Sequence, residues 1–406
     1  MSKTSVQWAP AIVASCSKAG LAIIRALGTR GVPIVGVGYG RGQIGLHSRF
    51  VHERVLCADP AEDEKGFLAC LAALPEHCNG AVLFPSDDGA LVAMSRHRQW
   101  LAGRFQVVAE RWTLVRSLIE KHLTYEIART AGVPCPRLQM VRAADDALAF
   151  AREVGFPCLV KPSVGHLFFK AFKRKMLMAH SLEELQRALE VMRDYPGELM
   201  LSEFVPGPDT CSANYNSFCV DGRPIQEFTA QKIRIRPASI GFPTVVRSQP
   251  MPAVQGAGRR MAAALGYNGF SCMEFKLDIR DGVYKLMEVN GRHNYSGELA
   301  SACGVDFPWL SYLAARRMAL PEKVSADIPE IFWIDEERDV RGAMSAALRG
   351  VSVAREYVEP YRGPNVYAVF SRSDLKPFLS LLRGSVAGVL TRRRAAAPAT
   401  GSPDVI

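Results

Sequence analysis

Polar and apolar positions alternate with period two from Met273 to Ile279 and again from Val283 to Asn290. Phe275, Leu277 and Ile279 share one face of the first stretch, and Glu274, Lys276 and Asp278 share the other. Such alternation predicts two strands, and Arg280-Asp281-Gly282 between them is turn chemistry, so the pair reads as a hairpin. Asp281-Gly282 taken as a two-residue loop would set Glu274 opposite Val289. A three-residue loop with Gly282 in the φ > 0 position of a bulge pairs Ile279 with Val283 instead. Glu274 then lies opposite Glu288, with Asn290 two residues further along the same face. The other face becomes Phe275, Leu277, Ile279, Val283, Met287 and Val289, interrupted only by Lys285. The apolar pattern selects this second register.

Upstream, residues 10–110 alternate short apolar runs with helical periodicity. Strands are predicted at Ala11–Ser15, Pro33–Gly38, Val51–Leu56, Ala81–Phe84 and Gln106–Ala109. A helix after Ser17 carries Leu21, Ile24 and Leu27, and others are expected near 62–74 and 88–101. Strands alternating with helices indicate an α/β unit with a parallel sheet. Gly36, Gly38, Gly40 and Gly42 follow the second strand rather than joining the first strand to a helix, so they do not make a dinucleotide fingerprint. We read Pro85-Ser86-Asp87-Asp88 as a helix N-cap, with ligand binding at a strand's carboxyl end as the alternative.

One long helix is expected over 112–136, carrying Lys121 and ending at Gly132-Val133-Pro134-Cys135-Pro136. A helix at 144–154 precedes Phe156–Pro162, an apolar strand ending in Lys161. Residues 163–175, with four lysines or arginines and three phenylalanines, read as a basic flap. Strands at 176–179 and 198–205 flank a helix from Ser181, whose Ser181 and Glu184 have capping-box spacing. Pro206-Gly207-Pro208-Asp209 is a stiff bend suited to a hinge. Strands at 211–220 and 223–236 follow, and the second brings Lys232, Arg234 and Arg236 onto one face. A charged, solvated edge strand would show the same stripe. A helix from Val254 to Leu265 leads to the hairpin. Helices are expected near 298–303 and from Asp306 through Leu320, and residues 331–370 read as a small α+β unit. The segment 375–395 is apolar with a basic end, and we read it as a helix packed on the body, with contact to a membrane surface as the alternative.

The 406 residues suffice for two or three domains, and 48% hydrophobic with 22% charged residues is the composition of a globular chain. A net charge of +10 suits an anionic small molecule, nucleic acid or a membrane surface. The basic residues are dispersed, without a recognition helix or RNA module, so nucleic acid is not expected. No apolar run is long enough to span a bilayer. Ten scattered cysteines without a C-x-x-C pair fit small buried side chains in a reducing cytoplasm.

Two carboxylates facing each other on a sheet repel. A divalent cation would offset this, and Glu274, Glu288 and the Asn290 amide are hard oxygen donors suited to Mg2+. A merely solvated polar face fits the hairpin pattern equally well.

The order of features nevertheless resembles the ATP-grasp superfamily over roughly residues 10–320. It rests on Lys121 before G-V-P-x-P, Phe156–Pro162, Ser202-Glu203-Phe204-Val205-Pro206-Gly207, Met273-Glu274-Phe275 and Met287-Glu288-Val289-Asn290. It is similar to the carboxylate–amine ligases, such as D-alanine–D-alanine and D-aspartate ligases. The resemblance implies a Rossmann-like parallel-sheet domain at 1–112 and an ATP-grasp domain at 113–325. The latter's α+β subdomains, 113–205 and 206–325, would clamp ATP, and 326–406 would form a small C-terminal appendage. Lys121 and Lys161 would contact ATP phosphates, Ser202, Glu203 and Val205 would form the adenine hinge, and Asp209 would take the ribose. Glu274, Glu288 and Asn290 would hold Mg2+, with Mn2+ as a substitute. Arg292 and Lys232 or Arg234 would neutralise the transferred phosphoryl group. The implied partners are ATP, a small carboxylate and an amine, with a homodimer as the implied assembly. A catalytically inactive ATP-binding protein of the same fold is the alternative. The family's flap is glycine-rich whereas 165–175 is basic and aromatic, and Cys272 stands where D-alanine–D-alanine ligases carry an arginine.

Overall fold

A computed structural model describes residues 8–162, 176–193, 195, 197–237, 241–322, 328–348 and 355–384. The expected flap at 163–175, and the segment 375–395 beyond residue 384, lie outside these residues. Three sheets organise the chain.

The first is parallel, with strands β1 (Ala11–Ala14), β2 (Ile34–Gly38), β3 (Val51–Leu56), β4 (Val82–Pro85) and β5 (Gln106–Val107) in the order β3-β2-β1-β4-β5. Every residue of β1, β2 and β4 is buried, as expected where helices cover both faces. The strand order reverses between β1 and β4, so their carboxyl ends flank a crevice of the kind that takes ligands in such sheets. Asp87, at the end of β4, caps the helix Asp88–Arg96 by accepting from the Ala90 amide at 2.8 Å.

The expected long helix over 112–136 is instead two, Trp112–Ile119 and Lys121–Thr130, because Glu120 is extended at φ −86° and ψ 104°. The Thr124 hydroxyl donates to the Ser117 carbonyl at 2.6 Å, giving a partner to an oxygen released at the break. Lys121 thereby opens a new helix with its own direction.

The second sheet is antiparallel, with β6 (Leu138–Met140), β7 (Cys158–Pro162), β8 (Leu177–Ala179) and β9 (Leu199–Glu203) in the order β6-β9-β7-β8. Cys158, Val160 and Leu201 pack against the helices Ala144–Val154 and Leu182–Val191. Period two therefore turns Lys161 and Ser202 to the opposite face.

The third sheet holds β10 (Ser212–Val220), β11 (Arg223–Arg236), β12 (Phe242–Ser248), β13 (Gly269–Asp278), β14 (Val283–Asn290), β15 (Phe332–Ile334) and β16 (Asn365–Tyr367). Their order is β14-β13-β10-β11-β12-β15-β16. β11 is interior, so its charges do not protect an edge. One face of the sheet is a core of Ala213, Tyr215, Met273, Phe275, Leu286 and Val289 under the helix Pro252–Leu265 and the two helices around Glu120. Gly258 crosses Tyr215 so closely that a Cβ would sit 2.3 Å from its ring.

Strands β15 and β16 extend this sheet, and three buried aspartates tie residues 328–384 to the rest. Asp335 meets Lys18 at 2.7 Å, Asp374 meets Arg25 at 3.2 Å, and Asp339 meets Arg234 at 2.8 Å.

Candidate active site

Four residues, Ile279–Gly282, join β13 to β14, with Gly282 at φ +71°. The expected three-residue loop therefore does not form. Next to the turn the strands pair Asp278 with Val283, Lys276 with Lys285 and Phe275 with Leu286, one residue off the expected register. An extra residue in β14, Met287, then shifts the pairing. Beyond it Glu274 lies directly opposite Glu288, Met273 opposite Val289 and Cys272 opposite Asn290. The bulge has a clear physical cause. In the expected register Lys285 would fall on the apolar face, whereas here the fully buried Leu286 fills it. Lys285 turns to the polar face, where its ammonium meets Asp278 at 2.7 Å and Glu203 at 3.2 Å. Ile279 and Val283, expected in the core, are exposed at the turn.

Each facing carboxylate has a lysine. Lys121 Nζ, from the first residue of its helix, lies 2.8 Å from Glu288 Oε1. Lys232, on β11, reaches past β10 to hydrogen-bond Glu274 Oε2. Lys121 is the main reason the Glu288 carboxyl sits well below its usual range, and it more than offsets the opposing effect of burial. Burial disfavours both ammonium groups, yet each glutamate outweighs it and holds its lysine above the ordinary value. Among the described residues, Lys161 has no such carboxylate. Its Nζ is 3.4 Å from Ser202 Oγ, and burial, reinforced by the Lys121 charge, brings its pKa down to about 7 despite Glu288.

The other expected residues divide. Asn290 is buried beside Glu288 on the same face, and Ser202 and Val205 are buried at the end of β9 and just beyond it. The Glu203 carboxylate is committed to the Arg137 amide at 3.0 Å, to Lys285 and to Arg280. These contacts overcome its burial and lower its pKa. Asp209 accepts from the Ile235 amide at 2.9 Å. Arg234 is not brought to the hairpin. Register shifts between Lys232, Arg234 and Ile235 break the expected stripe, and Arg234 grips Asp339 with Nε at 3.0 Å and Nη2 at 2.8 Å. Arg292 binds both oxygens of Asp88, at 2.7 and 3.0 Å, linking the end of the hairpin to the carboxyl end of the parallel sheet. Burial pushes the Cys272 thiol up to about 12, which leaves it un-ionised and a poor nucleophile.

Sequence reading missed the knot of Asp278, Arg280, Lys285 and Glu203 that fastens the hairpin to β9. Its signal was the lone lysine in an otherwise apolar face. The Asp88–Arg292 pair spans 204 residues and has no local signal.

No protein-family model matches the chain. A D-aspartate ligase of Enterococcus faecium is 25% identical over 236 residues, 55% of this chain and 56% of that one. A D-alanine–D-alanine ligase of Francisella philomiragia is 28% identical over 198 residues, 47% of this chain and 63% of that one. The chain thus matches less than two thirds of the length of either curated relative. Among solved structures, the biotin carboxylase domain dimer of the Hydrogenobacter thermophilus 2-oxoglutarate carboxylase, in complex with MgADP, ADP and bicarbonate, superposes with a TM-score of 0.63. It is 17% identical, and the match covers 81% of this chain and 74% of that one. The chain has the ATP-grasp fold, and in sequence it is similar to the carboxylate–amine ligases.

Proposed function

We propose that this protein is an ATP- and Mg2+-dependent ligase that joins a carboxylate to an amine through an acyl-phosphate. The observation that carries this reading is Glu274 directly opposite Glu288, each paired with a lysine from a different element. The donors, two carboxylates and the Asn290 amide, are the hard oxygens that Mg2+ takes. Bound there, Mg2+ would neutralise phosphate oxygens and the charge that develops on them during transfer.

Lys121 and Lys161 would hold phosphate oxygens, and Lys232, next to Glu274, would meet the transferred group. The end of β9 would seat the base with its main chain, because the Glu203 side chain is already engaged. Catalysis by such a site is positioning and charge neutralisation. The substrate carboxylate attacks the γ-phosphorus in line and ADP leaves. The amine then attacks the acyl carbon and phosphate leaves, so carboxylate, ammonium and ATP give an amide, ADP, phosphate and one proton. No enzyme nucleophile is required. Arg292 bound to Asp88 links the hairpin's end to the carboxyl end of the parallel sheet, whose crevice would supply a wall of the substrate pocket.

The test is ADP release with ATP, Mg2+ and mixed pools of amino acids and small carboxylates. Pool-dependent release is expected, falling on the order of a hundredfold in Glu288→Gln, since an anchor of the metal is lost. Release by Glu288→Gln at the parent rate would overturn the assignment.

A further inference from the structure

The row of facing side chains does not stop at the two glutamates. On β10, Asn214 is directly opposite Glu274, so Asn214, Glu274 and Glu288 lie side by side on one face of three adjacent strands. Directly opposed residues in antiparallel strands carry their Cβ atoms about 4.5–5.5 Å apart, within reach of a shared small ion and its water. On its other side Asn214 faces Ala230, whose methyl group offers no polar contact. Asn214 is 3% exposed, and its Oδ1 is buried without a hydrogen bond to any described residue. One step along the same face, the Asn216 Oδ1 accepts from Asn294 Nδ2 at 3.0 Å. The two asparagines are alike in burial and in strand, and only the one beside Glu274 has an unused acceptor.

A buried amide oxygen left unpaired is costly, and an apolar side chain of the same shape would avoid the cost. The residue makes sense where a hydrogen-bond donor arrives with the ligand. The Lys232 ammonium donates to Glu274 and makes no hydrogen bond to Asn214 Oδ1. We propose that Asn214 is a further positioning residue of the cation site, its Oδ1 accepting a hydrogen bond from a water on the Mg2+ held by Glu274 and Glu288. This rests on the ligase reading for the metal's presence but adds a residue from a third strand. Such outer contacts fix the orientation of the ligands they serve, and their loss typically weakens metal binding about 10–100-fold.

The test compares Asn214→Leu, which keeps the shape and removes the acceptor, with Asn214→Asp, which keeps an oxygen there. Calorimetric titration of ADP at graded Mg2+ gives the half-saturating Mg2+ concentration without requiring turnover. In Asn214→Leu that concentration is expected to rise about tenfold or more, with a thermal midpoint equal to or above the parent's. Asn214→Asp is expected to stay at or below the parent's value and to move the Mn2+/Mg2+ preference, which a purely structural asparagine would not do. A parental Mg2+ dependence in Asn214→Leu overturns the inference and leaves the ligase reading standing. If Asn214→Leu does not fold, an unchanged Mg2+ dependence and metal preference in Asn214→Asp overturns it equally. Absence of turnover on every substrate pool, with the Mg2+ shift intact, would sink the ligase reading while upholding this one.

Discussion

Lys161 offers a test in which stability and function move in opposite directions. It is 6% exposed, and burial together with the Lys121 charge sets its pKa at about 7, against 10.5 for an ordinary lysine. Between those two pH values the unfolded chain binds a proton that the folded chain does not. Stability therefore rises with pH across the window and is lowest at and below neutrality. At about 1.4 kcal/mol per pKa unit, carrying this lysine costs the nucleotide-free protein roughly 4 kcal/mol near pH 7, an upper figure. Lys161→Met, which fills the same space without the charge, should stabilise the nucleotide-free protein by about 2–4 kcal/mol at pH 7 and by little at pH 10. It should also lose most of its affinity for ADP. Denaturant melts of both proteins at the two pH values measure the first effect. The second arm uses proton linkage. In the proposed site a polyphosphate beside the Lys161 ammonium would restore its charge, so ADP binding at pH 8 should take up close to one proton, seen as buffer-dependent heat. Affinity should fall roughly tenfold per pH unit above 7. A Lys161→Met protein destabilised equally at both pH values, with no buffer dependence of ADP binding in the parent, would refute the argument.

Two further outcomes follow from charge pairs. Asp339 is fully buried against Arg234, Thr244 at 2.7 Å and Tyr361 at 2.7 Å, so Asp339→Asn takes the carboxylate's charge away from a buried guanidinium. A loss of about 3–5 kcal/mol in denaturant melts is expected, with ADP release by the folded fraction near the parent's, because this pair lies away from the hairpin. At the site itself, Mg2+ alone would have to displace two ammonium groups, so its affinity for the nucleotide-free protein should be weak and should rise in Lys232→Met, which frees Glu274. Isothermal titration with Mg2+ checks this, and equal binding by parent and variant would count against the pairing.

Much of the fold was legible because its signals are local. All-apolar β1, β2 and β4, separated by helical stretches, announce a covered parallel sheet, and the capping of Asp88–Arg96 by Asp87 could be read from four residues. The failures come where a distant contact overrides a local pattern. A continuous helix over 112–136 is the local optimum, yet a break at Glu120 lets both halves pack on the third sheet while aiming Lys121 at Glu288. The period-two stripe of Lys232, Arg234 and Arg236 is real in the sequence. Two register shifts divide it, since Asp339 claims Arg234 and Glu274 claims Lys232.

The hairpin shows how a register can be right at one end and wrong at the other. The apolar face favours Glu274 opposite Glu288, and that pairing forms, but the turn satisfies a different demand. Lys285 must leave the core, and the bulge at Met287 moves it out without disturbing the carboxylates. Repulsion between Glu274 and Glu288 suggested a metal ion as their partner, yet two lysines already neutralise them. The two accounts are compatible under the proposed function, in which the lysines and a cation would be alternative partners for the same oxygens. Without nucleotide, ammonium and carboxylate cancel. On entry of a metal–polyphosphate, the carboxylates would pass to the cation and the lysines to the phosphates, so that no charge in the proposed site would be left buried alone. Neither metal nor polyphosphate can make that exchange by itself without stranding one half of each pair. In the proposed function the opposed carboxylates would thus tie the two ligands' affinities together, through ion pairs that the sequence distributes over residues 121, 232, 274 and 288.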